Sequence, residues 1–154
     1  SRLFKRLREE LGMCYYVRAS HDSATDHGVF TVRSGVSAKR FQEAVDAIVE
    51  ILQGIKDEPV GAKELTKAKE YLLGSTALSL ESSDDWAQHF AYQEVIEGEL
   101  KDYKDITKEI KAVTAEDVQT VAAELLVPER ANLAAIGNLA RAEEKAKNAL
   151  SSLV

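Results

Sequence analysis

Arg8 and Tyr15 stand seven residues apart near the start of this 154-residue chain, and between them they offer donors suited to carbonyl or oxyanion chemistry. A guanidinium presents five N–H groups in a planar fork, and a phenol adds one O–H. Read as a helix ending at Leu11, the first turns place Phe4, Leu7 and Leu11 at i, i+3 and i+7 of an apolar stripe. Arg8 then fills the i+4 position. A guanidinium on an apolar face costs free energy unless it is paired or faces a cleft. Gly12 supplies a helix stop, and Tyr15 falls in the strand-like run that follows. A helix end followed by a strand can set both side chains over one groove. The rival reading is a surface pair between Arg8 and a nearby carboxylate, with Tyr15 packed in the sheet.

Other chemistry finds less support. Cys14 is the only cysteine, so no internal disulfide forms, and its strand-like surroundings suit a small buried hydrophobe better than a thiol served by His21 or His27. The contexts of His21, His27 and His89 give neither His-x-x-Glu-His nor His-Glu-x-x-His, and Cys-x-x-Cys is absent. No Gly-x-Ser-x-Gly elbow, phosphate loop or dinucleotide fingerprint is present. The acidic pairs Glu9-Glu10, Asp84-Asp85 and Glu143-Glu144 sit where helix surfaces and first turns normally carry acids. No metal ligand set is expected in this chain.

Composition sets the broad class. With 45% hydrophobic and 30% charged residues and two prolines, the chain reads as a soluble globular domain. A net charge of −6 argues against nucleic-acid binding, and no run approaches the roughly 20 apolar residues of a membrane span. Positive charge concentrates in the first helix (Arg2, Lys5, Arg6, Arg8), with no apolar region after it to make a signal peptide. The compartment is left open, with the cytoplasm as the default expectation. Lacking an initiator methionine and opening inside a helical pattern, the sequence reads as a fragment of a longer protein.

The elements follow from periodicity. Cys14 to Ser20 is expected as a strand with Tyr15, Val17 and Ala19 on one face and Cys14, Tyr16 and Arg18 on the other. A polar connection, His21 to His27, leads to a second strand over Gly28 to Gly35. The period then changes to 3.6. Phe41, Ala44, Val45, Ile48, Leu52 and Ile55 mark a helix over about 37–56, and Leu65, Ala68, Leu72 and Ser75 mark another ending near Glu81. Ser82 to Asp85 opens a helix carrying Trp86, Phe90 and Ala91. A short helix holds Tyr103, Ile106 and Ile110. Thr114 to Asp117 opens the next, which Pro128 follows. Ala131 to Ile136 is expected as a third strand closed by Gly137, and Ala142, Ala146, Ala149, Leu150 and Leu153 mark a terminal helix. The expected fold class is α+β, an antiparallel-rich sheet packed against a layer of helices in one domain over 1–154; three strands are few for so many helices, so a further strand is expected upstream of Ser1.

The segment Ser1-Arg2-Leu3-Phe4-Lys5-Arg6-Leu7-Arg8-Glu9-Glu10-Leu11-Gly12-Met13-Cys14-Tyr15 resembles the corresponding stretch of pitrilysin or insulinase-like zinc peptidases, inverted-motif zincins of bacterial style. Gly28-Val29-Phe30, Glu64 to Lys69, Leu78 to Ser82, Ile110 to Val118 and Leu133 to Gly137 are similar to later parts of that family in the same order. The resemblance implies a processing-peptidase-like metallohydrolase fold and assigns the chain to the C-terminal, non-zinc, substrate-binding domain of a zinc endopeptidase. It implies that Arg8 and Tyr15 reach toward peptide bound at a zinc site carried by a homologous N-terminal domain or subunit. The implied partners are that zinc-bearing domain and a peptide, with no nucleic acid and no membrane. Without a zinc helix, this chain alone is expected to be inactive. The resemblance also implies that the first strand and helix of the family's domain are missing from this chain, and the sheet edge this leaves is open to a homodimer. A non-catalytic partner subunit of the same fold is the alternative, and an unrelated helical interaction module is a third reading.

Overall fold

The structure, a computed structural model, describes residues 1–138 and 148–151. Helix α1 occupies residues 2–10 as an α-turn, Arg2–Phe4, running directly into a π-turn, Lys5–Glu10. Ser1 caps it, its hydroxyl accepting the Phe4 N–H at 3.3 Å. Strands β1, Cys14–Ser23, and β2, Gly28–Val36, form a two-stranded hairpin. A short 3-10 turn, Ala38–Arg40, leads into α2, Phe41–Asp57. Then follow α3, Ala62–Ser79, α4, Ser83–Tyr92, with a π-turn Gln93–Glu97, α5, Tyr103–Ala112, and α6, Ala115–Leu125. No helix among the described residues is long and apolar enough to cross a membrane.

The chain divides into two compact units, one of residues 1–22, 29–59 and 119 onward, the other of residues 23–28 and 60–118. The first unit holds the apolar core. Leu3, Leu7, Met13, Ala44 and Ala47 are buried together, with Leu11, Cys14, Val17, Val32, Val36, Ile48 and Ile51 packed against them. Leu7 is fully enclosed. Val45, Val49 and Leu52 form a second cluster on α2, which Phe41, Leu126, Ala131, Ala149 and Leu150 cover. The α2 stripe read from the sequence is thus the buried one, joined by Ala47 and Val49.

Several expectations need correction. The buried face of α1 is Leu3 and Leu7 rather than Phe4 and Leu7, and Phe4 and Arg8 lie at i and i+4 on the exposed face. Spacing of four along Leu3, Leu7 and Leu11 suits a helix widened to i→i+5 bonding, whereas the stripe assumed 3.6 residues per turn. Strand β1 extends to Ser23, and the polar connection shrinks to Ala24–His27, closed by the Ala24 N–H to His27 carbonyl bond at 2.8 Å. Its burial does not alternate strictly. Cys14 and Val17 both reach the core, because a two-stranded ribbon twists strongly and turns its core-facing side as it runs. Ala131 to Ile136 forms no strand. No strand edge among the described residues pairs with it, and Ile136 stands in solvent. The terminal helix drawn through Ala142, Ala146 and Leu153 lies outside the described residues, though Ala149 and Leu150 do pack on α2.

The second unit is organised differently. No apolar side chain in it is buried, and Gln93 is its buried residue. On α3 the half-buried positions are Leu65, Lys69, Leu73 and Thr76 rather than Leu65, Ala68, Leu72 and Ser75. The face is rotated because Lys69 and Leu73 engage α5: Lys69 Nζ donates to the Lys111 carbonyl at 2.7 Å, and the Tyr103 hydroxyl to the Leu73 carbonyl at 3.3 Å. Trp86 and Phe90 stack at 5.3 Å on α4. Helix starts carry reciprocal caps. Ser82 with Asp85, Asp102 with Asp105, and Thr114 with Asp117 each exchange side-chain and backbone bonds.

These caps set the acid response. The hydrogen bond from the Ser82 side chain holds the Asp85 carboxyl below its ordinary range, and backbone N–H bonds do the same for Asp102 and Asp117. A carboxyl depressed in the folded state contributes stability that is fully present above its unfolded value, about 3.9, and is lost as pH falls through the folded value. Circular dichroism at 222 nm should therefore show helix loss beginning near pH 4 and deepening below it. The triple variant D85N/D102N/D117N should show a flatter profile over that range.

Candidate functional site

The residues that flank the end of α1 lie on both sides of one tight turn. The π-turn closes with the Leu11 N–H to the Arg6 carbonyl at 3.0 Å. Gly12 follows with φ +57°, the left-handed region that glycine adopts at no steric cost, and Met13 N–H returns to the Leu7 carbonyl at 2.9 Å. This is a Schellman-like stop widened by one residue. It buries Met13 beside Leu7 and delivers the chain into β1, so that Tyr15 comes two residues after a fixed core anchor.

Arg8 lies within the π-turn with its guanidinium carbon 5.1 Å from the centre of the Phe4 ring. Such a cation–π contact at an exposed site is worth about 0.5–1 kcal/mol, enough to bias the side chain but not to bury its charge. Its neighbours are committed elsewhere. Arg6 pairs with Glu10 at 3.2 Å and with Glu50 at 3.5 Å, and Lys5 lies 4.0 Å from Glu10. Among the described residues Arg8 makes no ion pair. Tyr15 is 90% exposed, and its hydroxyl meets no partner among them. The rival reading, an Arg8–carboxylate pair and a Tyr15 packed in the sheet, describes neither residue. Both present unused donors to solvent from the same unit.

Two contacts hold the frame around this pair, and the sequence signalled neither. Arg40, at the entry to α2, donates Nη1 to the Leu11 carbonyl at 2.7 Å. It also grips Glu43 with Nε and Nη2 at 2.7 and 2.6 Å. That bond raises the Arg40 pKa and holds the Glu43 carboxyl below its usual range. On the hairpin, the Ser34 hydroxyl donates to the Tyr16 carbonyl at 2.9 Å, and the Tyr16 ring lies across Gly35, where an added Cβ would meet Cε1 at 2.8 Å. Arg40 and Glu43 stand at i, i+3, a common helix-surface pattern that does not point to the Leu11 carbonyl.

No group of three His, Cys, Asp or Glu side chains among the described residues is placed to hold a metal. His27 Nδ1 meets Asp26 Oδ1 at 2.6 Å in the exposed hairpin loop, and His89 Nε2 donates to the Lys101 carbonyl at 3.3 Å.

Residues 1–72 match the family described as the peptidase M16 inactive domain. An uncharacterized zinc protease of Bacillus subtilis is 34% identical over 131 residues, which cover 85% of this chain and 32% of that protein. An uncharacterized zinc protease of Mycobacterium leprae is 30% identical over 126 residues, 82% of this chain and 28% of that protein. The crystal structure of a conserved protein from Enterococcus faecalis V583 superposes with a TM-score of 0.70 at 26% identity, over 79% of this chain and 28% of that one. The chain thus spans about a third of the length of the curated relatives it matches.

The turn itself is testable. An added Cβ at Gly12 meets nothing within 4 Å, so Gly12→Ala is charged only the left-handed penalty, about 1–2 kcal/mol. Urea denaturation should show that loss, and Gly12→Asn should recover part of it.

Proposed function

Residues 1–72 belong to the M16 inactive-domain family, and on that premise we propose that the chain is the substrate-binding, active-site-completing domain of a zinc-dependent endopeptidase. In this reading its partner is a zinc-bearing homologous domain or subunit, and its substrate is an extended or unfolded peptide. The observation that carries it is the pair of uncommitted donors, Arg8 and Tyr15, on either side of a rigidly held turn.

The chemistry follows from the two side chains. A peptide in extended form offers a row of backbone carbonyls, each able to accept a bond. The Arg8 fork donates to one or two of them and fixes the register of the bound strand. The Tyr15 hydroxyl donates to a carbonyl oxygen and strengthens its hold as negative charge develops there, as oxyanion donors do. The described residues do not suit zinc, so the metal belongs to the partner in this proposal and this chain contributes binding and orientation.

The test uses the complete natural protein that carries this chain and a fluorescent unfolded peptide. Losing a charged donor should make Arg8→Ala bind about ten- to a hundredfold more weakly, and Tyr15→Phe about three- to tenfold more weakly. Both side chains are exposed, so melting temperature and zinc content should stay at wild-type values. Wild-type affinity and turnover in both variants would sink this reading and leave a non-catalytic partner subunit as the better account.

A further inference from the structure

The turn between Arg8 and Tyr15 is fastened by a residue far away in sequence. The Leu11 carbonyl is among the last-turn groups that no later helical N–H reaches. Arg40 reaches it with Nη1 at 2.7 Å, across 29 residues of chain. Its Nε and Nη2 meet both oxygens of Glu43, so the planar fork is clamped along one edge while Nη1 is aimed along another. Glu43 and Arg40 are fixed in turn by α2, whose Ala44 and Ala47 pack on Leu3 and Leu7 of α1. The guanidinium therefore ties the end of one helix to the start of the next at the point where the chain reverses toward Tyr15.

We propose that Arg40 is a positioning residue for the Arg8–Tyr15 pair: by holding the Leu11 carbonyl it fixes how the two donors are presented to one bound peptide. This rests on the reading that the pair grips peptide. A lysine cannot serve, because one ammonium cannot meet both Glu43 oxygens and the Leu11 carbonyl in a fixed plane. Glu43→Gln keeps an acceptor for the fork and is the milder variant.

The experiment is a double-mutant cycle on peptide binding in the complete natural protein, combined with amide hydrogen exchange at Met13. Arg40→Ala should weaken peptide binding about fivefold, and in the Arg8→Ala/Tyr15→Phe background its effect should largely vanish, since a mispositioned donor and a missing one cost the same contact. Arg40→Lys should bind no better than Arg40→Ala, and Glu43→Gln should keep most of the wild-type affinity. Met13 exchange, which reports the bond to the Leu7 carbonyl, should quicken about tenfold in Arg40→Ala without peptide present. Losses that multiply when Arg40→Ala is added to the variant lacking both donors, or an unchanged Met13 rate, would overturn the proposal. If Arg8→Ala alone leaves affinity intact, the peptide reading fails, and the Met13 rate still decides whether Arg40 holds the turn. Should Arg40→Ala not fold, Arg40→Lys replaces it in the same cycle.

Discussion

The way α1 ends is the constraint on which the first unit depends. A helix that simply continued would carry Met13 and Cys14 away from the core. The π-turn, the left-handed Gly12 and the Met13–Leu7 bond instead fold the chain back, so that Leu7, Met13, Cys14 and Val17 share one cluster with α2. Burial of each large apolar side chain there contributes roughly 1.5–3 kcal/mol, far more than the cation–π contact that steers Arg8 outside. Packing therefore decides the path of the backbone, and the exposed donors inherit their positions from it. A π-turn suits this role because one extra residue per turn shifts the facing of everything after it.

The same device recurs at the end of α4. Gln93–Glu97 is a π-turn closed by Gly98 N–H to the Gln93 carbonyl at 2.8 Å, and Gly98 has φ +70°. There the turn serves a polar purpose. The buried Gln93 side chain accepts the Lys101 N–H at 2.8 Å, and His89 binds the carbonyl of the same residue, so the 98–101 loop is tied at both backbone groups of Lys101. Lys101 in turn reaches Glu109 at 2.7 Å, which raises its pKa through that bond. A buried polar side chain is tolerable here because its acceptor oxygen is satisfied.

What the sequence made legible follows from the range of the interaction involved. Helices α2, α4, α5 and α6 were readable because periodicity and caps such as Ser82–Asp85 and Thr114–Asp117 act within three or four residues. The buried face of α1 was not, since Phe4, Leu7 and Leu11 assume an α period that the π-turn breaks. Ala131 to Ile136 looked like a strand from composition alone, but a strand is a property of a pair, and its partner is not among the described residues. Arg8 was picked out for occupying an apolar face it does not occupy, yet its exposure leaves the same donor available. Arg40 was invisible because its acceptor, a backbone carbonyl 29 residues away, carries no sequence mark.

The two units are stabilised by different physics, and this bears on what each can do. The first concentrates its apolar burial around Leu7 and can hold a fixed arrangement of surface donors. In the second, Tyr71, Leu72, Leu78, Val95 and Leu100 remain largely in water, while reciprocal caps and ties such as Lys69 to the Lys111 carbonyl set the helices in place. Net hydrogen bonds of this kind contribute about 1 kcal/mol each, much less than a buried leucine. Few buried apolar contacts are the physical mark of a segment that opens locally. The proposed grip on peptide asks for two donors held in a fixed arrangement, and the unit that carries Arg8 and Tyr15 is the one with a buried apolar core.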